Sequence, residues 1–172
     1  LPYISPSPTV PRTSARPGRV AAPLSMSDPL ATVADMTIEI LPATSDRFDD
    51  AEVALDSGDG PGCQCQWWLL TNAEFEKNSR EQLTERFRTE MQGDRPPGLI
   101  AYVDGAPAGW GRVGPRTDQA RLLRPRDGMT ATAEPLDADD VWAVSCFVIR
   151  TAHRRQGLMK KLLDAAVTTA RE

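Results

Sequence analysis

The chain predicts an α/β domain of the α+β kind, in which a largely antiparallel sheet carries helices, and three stretches support that prediction. Residues 99–103 and 109–113 are apolar runs on either side of Asp104-Gly105. That dipeptide suits a two-residue type I′ turn, because both of its positions need positive φ. Thr71-Asn72-Ala73-Glu74 and Ser79-Arg80-Glu81-Gln82 have the form of capping boxes, which satisfy the first N–H groups of a helix. Residues 141–149 are an almost uninterrupted apolar run of strand length, followed from Leu158 by apolar residues at helical spacing.

In chain order, residues 1–35 hold seven prolines among Ser, Thr and Arg, a composition that cannot supply a core and predicts a disordered tail. Met36 directly precedes the first strand-like run, so that tail is expected to be upstream sequence or a fusion remnant whose removal leaves stability unchanged. Residues 37–41 alternate as a half-buried strand does, and Pro42 ends it. Ser45 or Asp46 is positioned to cap a helix whose apolar residues are Phe48, Ala51, Val53 and Leu55. Residues 56–62, rich in glycine, break it.

Cys63-Gln64-Cys65-Gln66-Trp67-Trp68 is the least usual composition in the chain. Free cysteines pack as small hydrophobes beside aromatic rings, which is the expected state here. Trp67 and Trp68 are also candidates for the wall of a substrate pocket, since rings with a polar edge line such sites. A metal site would need Cys146 and His153 to complete the four ligands that zinc usually takes. Phe75, Leu83, Phe87 and Met91 then mark one helix, or two short ones, over residues 72–92. Pro96-Pro97 forces extended chain before the hairpin. Residues 114–140 read as an irregular connection with a short helix near residues 119–123, and Arg116, Arg121, Arg124 and Arg126 are expected to be a solvated basic loop.

The run 141–149 reads as an inner strand covered on both faces. Arg154-Arg155-Gln156-Gly157 follows it as a glycine-containing turn that presents unpaired backbone N–H groups at a helix start, a ready anion site. The alternative is a plain strand-to-helix connection with two solvated arginines. The helix itself has Leu158, Met159, Leu162, Leu163, Ala166, Val167 and Ala170 on one side.

Composition narrows the function. A net charge of −4 argues against a nucleic-acid partner. No apolar run approaches the ~18 residues of a membrane span. Three cysteines at uneven positions make no disulfide framework, so a reducing cytoplasm is the expected location.

Arg154-Arg155-Gln156-Gly157-Leu158-Met159 resembles the pyrophosphate loop, Arg-x-x-Gly-x-(Gly or Ala), of the GNAT superfamily of acyl-CoA-dependent N-acetyltransferases, with Met159 where the last small residue stands. The Cys-x-Cys segment followed by tryptophan resembles an actinobacterial-type subgroup of that family. The resemblance spans residues 36–172. It implies a GNAT-like mixed, largely antiparallel sheet flanked by helices, ending before the C-terminal strands and helix of such a domain. It also implies acetyl-CoA as cosubstrate and no metal. Phe147, Val148 and Ile149 would pair with the pantetheine amides, and residues Arg154 to Met159 would hold the pyrophosphate. The N–H of Phe147 or Val148 would face the oxyanion. The family often has a glutamate base on this strand, which here has none; Asp140 and Asp139 are the nearest carboxylates. The acceptor would be a small-molecule or peptide amine. An open strand edge would also invite a second copy, giving a homodimer. Two readings compete: a non-catalytic CoA-binding or interaction module, that is, a truncated pseudoenzyme, and a small thiol-metal protein using Cys63, Cys65, Cys146 and His153.

Overall fold

The computed structural model describes residues 36–56, 62–124 and 133–172; the expectations for residues 1–35 and for Arg126 lie outside them. The chain divides into two units, residues 1–33 and 34–172, and every element below belongs to the second. Strand β1 (Ile38–Pro42) is followed by α1 (Phe48–Leu55), α2 (Asn72–Lys77), α3 (Arg80–Met91), β2 (Gly98–Val103), β3 (Ala106–Pro115), β4 (Trp142–Ile149) and α4 (Leu158–Thr169). The sheet order is β1-β2-β3-β4, with every neighbouring pair antiparallel.

The hairpin β2–β3 forms on the expected dipeptide: Asp104 and Gly105 have φ of 51° and 79°. Both capping boxes are present, and they split residues 72–92 into two helices, because Ser79 starts a new cap where Asn78 leaves helical geometry. The cap expected for α1 is absent. Neither Ser45 nor Asp46 caps it, since residues Ser45–Arg47 are already wound as a 3₁₀ turn and Arg47 is the N-cap without a side-chain bond. Val53 is exposed and Ala54 takes the buried place, so α1 faces the sheet through Phe48, Ala51 and Ala54.

Two cores lie on opposite faces of the sheet. On one face Phe48, Ala51 and Ala54 of α1 and Phe87 and Met91 of α3 pack on Ile100, Tyr102 and Trp110. The Phe87 ring meets Trp110 edge-on at 5.4 Å. On the other face Leu158, Leu162 and Ala166 of α4 pack on Leu99, Ala101, Val103, Ala108 and Val113. Full burial of side chains such as Trp110, Phe87 and Leu162 stabilises by about 1.5–3 kcal/mol each.

Strand β4 differs from the expected inner strand. It is the outermost strand of the described sheet, and each of its residues is half-buried rather than buried. Its apolar composition reflects cover on both faces: Cys146 and Val148 join the α1–α3 core, while Trp142, Val144, Phe147 and Ile149 join the α4 core. That allocation changes parity between Val144 and Cys146. The cause is a bulge, since Arg112 pairs with Cys146 and Val113 with Val144, which leaves Ser145 as the extra residue.

The connection after β3 also corrects an expectation. Among the described residues its one short helical turn is the 3₁₀ turn Arg116–Asp118, while residues 120–123 are hydrogen-bonded turns, with the Leu122 N–H on the Gln119 carbonyl at 2.8 Å, rather than a helix. Arg116 and Arg121 are buried instead of solvated. Arg116 donates to the Pro135 carbonyl, and Arg121 donates to the Trp67 carbonyl and to Asn72 while its guanidinium lies 3.5 Å over the Trp67 ring. Donors in a fork and a flat cationic face let arginine be buried where lysine could not be.

Candidate functional site

The strand–turn–helix at the end of the chain is built on close strand contact. Gly109 and Gly111 of β3 stand opposite Ile149 and Phe147 of β4. A Cβ on Gly109 would lie 2.8 Å from Ile149 Cδ1 and 3.0 Å from the Val148 carbonyl oxygen, so a side chain there would displace the Ile149 methyl and press on the β4 backbone. β3 occupies one edge of β4. On the other edge, alternate N–H and C=O groups of the Phe147–Ile149 region point away from the described sheet, as antiparallel geometry requires. An amide-bearing ligand can extend that ladder.

Beyond Ile149 the chain makes a tight turn at Thr151–His153 and reaches Gly157, the N-cap of α4, at φ 80° and ψ 5°. A Cβ there would meet nothing within 4 Å, so the glycine is required by its left-handed backbone and not by space. Arg155 is left-handed too, at φ 64°. Arg154 Nε donates to the Ile149 carbonyl at 3.2 Å, which fastens the turn to the strand end. Leu158 is buried and anchors the helix, and Met159 is 56% exposed. The side chain of Met159 therefore extends into solvent while its backbone N–H stays in the first turn of α4, among groups with no intrahelical acceptor. These residues fit a phosphate-bearing ligand.

The remaining sequence candidates fall elsewhere. Asp139 and Asp140 are exposed in the turn before β4, at the opposite end of the strand from Gly157. From Trp142 to Phe147 is five steps of extended chain, roughly 17 Å. Trp67 is 39% exposed, with Phe75 edge-on at 4.9 Å and the Arg121 guanidinium on its face. A cleft of about 580 Å³ opens beside it, lined by Gln66 and Leu69, the residues flanking Trp67 and Trp68, and by Gln82, Glu85, Arg86 and Glu90 of α3. Tyr102 donates to Asp50 Oδ2 at 2.7 Å; burial and that bond push its phenol up. Among the described residues no group of three or more His, Cys, Asp or Glu side chains could hold a metal ion. The thiol-metal reading through Cys63, Cys65, Cys146 and His153 is thereby corrected: His153 ends the turn after β4 while Cys65 is enclosed in the α1–α3 core.

A second polar centre was not anticipated from sequence. Arg112, 3% exposed in the middle of β3, makes a two-pronged bond to Glu90 of α3, with Nη1 to Oε1 at 2.8 Å and Nη2 to Oε2 at 2.7 Å. Gln66 Nε2 donates to the same carboxylate at 2.8 Å. Arg112 Nε also donates to Cys65 Sγ at 3.2 Å, and Trp110 Nε1 donates to that sulfur at 3.1 Å. Cys146 of β4, the cross-strand partner of Arg112, packs on the same core as Cys65. Burial alone would raise the Cys65 thiol, but the neighbouring Cys146 thiol, the Arg112 charge and the bonds from Arg112 and Trp110 outweigh it and lower it to about 6. The one signal available in the sequence was a lone arginine within the apolar, glycine-rich run 109–113.

Comparison with known proteins gives the family. The model of the GNAT acetyltransferase family matches residues 64–172, 109 of the 172 positions. Solved structures similar to the chain include an aminoglycoside N-acetyltransferase in complex with CoA, at 15% identity and a TM-score of 0.46, covering 79% of this chain and 69% of that one. They also include the diaminobutyrate acetyltransferase of Paenibacillus lautus with its substrate and coenzyme A, at 15% identity and a TM-score of 0.43, covering 76% of this chain and 57% of that one. A third is a Corynebacterium glutamicum protein described as histone acetyltransferase HPA2 and related acetyltransferase, at 17% identity and a TM-score of 0.45, covering 77% and 71%. The search of curated protein sequences gives no match. With the family model covering more than half of its length, including β4, the glycine turn and α4, the chain belongs to the GNAT acetyltransferase family.

Proposed function

We propose that this chain is an N-acetyltransferase that moves an acetyl group from acetyl-CoA to an amine. The observation that carries the reading is the continuity of the open edge of β4 with the left-handed, Gly157-capped turn of α4 inside the family match. Backbone groups of Phe147, Val148 and Ile149 would bind the pantetheine amides, and the N–H groups from Arg155 to Met159, beside Arg154, would bind the pyrophosphate. The donor, when bound, supplies the acetyl group as an activated thioester.

The rest is done by the chain. The backbone N–H of Phe147 or Val148 donates to the oxygen on which negative charge develops, a fixed dipole that needs no reorganisation. The acceptor amine must lose a proton before it can attack. Glu90 is a poor acceptor for that proton, because both its oxygens are held by Arg112 and one also by Gln66. We assign the proton to solvent water: Asp140 and Asp139, the carboxylates nearest to β4 in sequence, stand roughly 17 Å along the strand from Phe147, too far to take it directly or through one water. The cleft beside Trp67 and Trp68 would be the acceptor side, and its Glu85 and amide groups suit a polar amine.

Calorimetric titration of CoA into the full chain tests the donor site. Gly157→Pro removes an N–H and forbids positive φ, and one hydrogen bond to a charged group is worth about 1.5–3 kcal/mol. Affinity is therefore expected to fall roughly 10- to 100-fold; equal affinity would remove the turn from the site. Release of free CoA thiol on mixing acetyl-CoA with a panel of amines tests the reaction. Binding without turnover would favour the non-catalytic module instead. Asp140→Asn should leave the pH–rate profile unchanged, and a shifted acid limb would instead make Asp140 the proton acceptor.

A further inference from the structure

The sulfur centre has no part in the proposed transfer. Cys65 lies in the α1–α3 core with no exposed surface, on a turn where it and Gln64 both hold left-handed backbone, φ 56° and 46°. Such geometry in non-glycine residues is strained and persists only where the surroundings impose it. Here it drives a sulfur inward, onto two N–H donors fixed in β3, Trp110 Nε1 and Arg112 Nε. Arg112 is the cross-strand partner of Cys146, whose side chain packs on the same core that encloses Cys65. Two cysteines remote in sequence thus share one core, one sulfur carrying positive donors and the other a proton. Cys63 is half-buried nearby, and all three cysteines are free.

We propose that Cys65 and Cys146 are an oxidation site, at which a small hydroperoxide closes a reversible disulfide between the Cys63–Trp68 segment and β4. The donors of Trp110 and Arg112 favour the deprotonated sulfur of Cys65, the nucleophilic form. That sulfur attacks the peroxide; the O–O bond breaks, an S–O bond forms, and hydroxide leaves and takes up a proton. The Cys146 sulfur then displaces the sulfenic hydroxyl as water, with its own thiol proton completing that water. The two sulfurs lose two electrons, and hydrogen peroxide becomes two waters. The new bond withdraws the acceptor sulfur from Trp110 and Arg112 and ties the Gln66–Leu69 wall of the cleft to the sheet.

The test treats the reduced full chain with equimolar hydrogen peroxide, alkylates the remaining thiols and maps the peptides by mass. The expected product has lost two hydrogens, joins the Cys65 and Cys146 peptides, carries the alkyl group on Cys63 and reverts with dithiothreitol. Cys63→Ser should give the same linkage, and Cys146→Ser should leave a dimedone-reactive sulfenic acid on Cys65. A Cys63–Cys65 or Cys63–Cys146 linkage, oxidation confined to Cys63, or no linked peptide in the wild-type chain would overturn the proposal.

Discussion

Two regions of this molecule carry polar chemistry, and they are built in opposite ways. The β4–turn–α4 segment is continuous in sequence, solvent-facing at its turn, and works through backbone groups freed by local geometry. The Cys65–Arg112–Glu90 centre is buried at Cys65 and Arg112 and reaches the cleft only through Glu90; it is assembled from three separate stretches and works through side chains whose partners stand 22 to 47 residues away. The comparison teaches that an anion site can be supplied by one turn, whereas a buried ionic centre depends on the whole sheet and on every partner at once. Loss of one member should therefore be tolerated in the first region and severe in the second.

The strongest way to break the comparison is Arg112→Ala. The Arg112 side chain is 4% exposed against 25% for Glu90, so the substitution takes the two-pronged partner from a half-buried carboxylate, leaving it, among the described residues, Gln66 alone, and leaves Cys65 only Trp110. Removing one partner of a buried pair costs about 3–5 kcal/mol. The expected outcome in urea unfolding is a loss of that size, a large part of the stability of a domain this small. A loss below about 1 kcal/mol, the range of exposed pairs, would place the centre in contact with solvent and dissolve the contrast.

A second, smaller effect follows from the Cys65 thiol, lowered to about 6 when folded against an ordinary value of about 8.5 for the unfolded chain. Above the unfolded value both states are ionised and the stabilisation is fully present. Between the two values the unfolded chain holds a proton that the folded chain does not, so stability rises with pH. It is lost as pH falls through about 6. The groups around it are Cys63, raised by burial, Cys146, raised by the neighbouring Cys65, and the Arg112–Glu90 pair. The two raised thiols act above the ordinary thiol value, so a scan of unfolding free energy from pH 6 to 8.5 isolates Cys65. The wild-type curve should climb across that window and the Cys65→Ser curve should be flatter; parallel curves would show that Cys65 is a neutral thiol.

The same contrast governs what could be read from the sequence. The Asp104-Gly105 turn, the two capping boxes and the strand–turn–helix were legible because each is decided within a few residues: a φ sign, a hydroxyl three residues before an acid or amide, a glycine at a helix start. Position within the sheet was not. An apolar strand covered by helices on both faces reads the same at an edge as at the centre, which is why β4 was expected inside. Burial of Arg116 and Arg121 was equally hidden, since their acceptors at Pro135, Trp67 and Asn72 come from other parts of the chain. Cys65 was expected as a small buried hydrophobe; its burial is as expected, but its role as an acceptor for Trp110 and Arg112 required the hairpin to be folded beneath it.

The smallest expected effect concerns Met159, where the loop pattern has a small residue. In the structure its side chain is 56% exposed and Leu158, not Met159, anchors α4. Truncation to alanine removes little buried surface, and exposed substitutions usually change stability by less than about 0.5 kcal/mol. The N–H of residue 159 survives the change, because every residue except proline supplies one. Met159→Ala should accordingly melt with the wild type and bind CoA with an affinity within roughly threefold, less than the ~10-fold that a single 1.4 kcal/mol contact represents. A tenfold gain in affinity would mean that the thioether obstructs the ligand, and that the turn selects by side-chain bulk as well as by backbone. An unchanged affinity alongside a large loss in Gly157→Pro would place recognition in the N–H groups alone, the property that sets this region apart from the side-chain centre around Arg112.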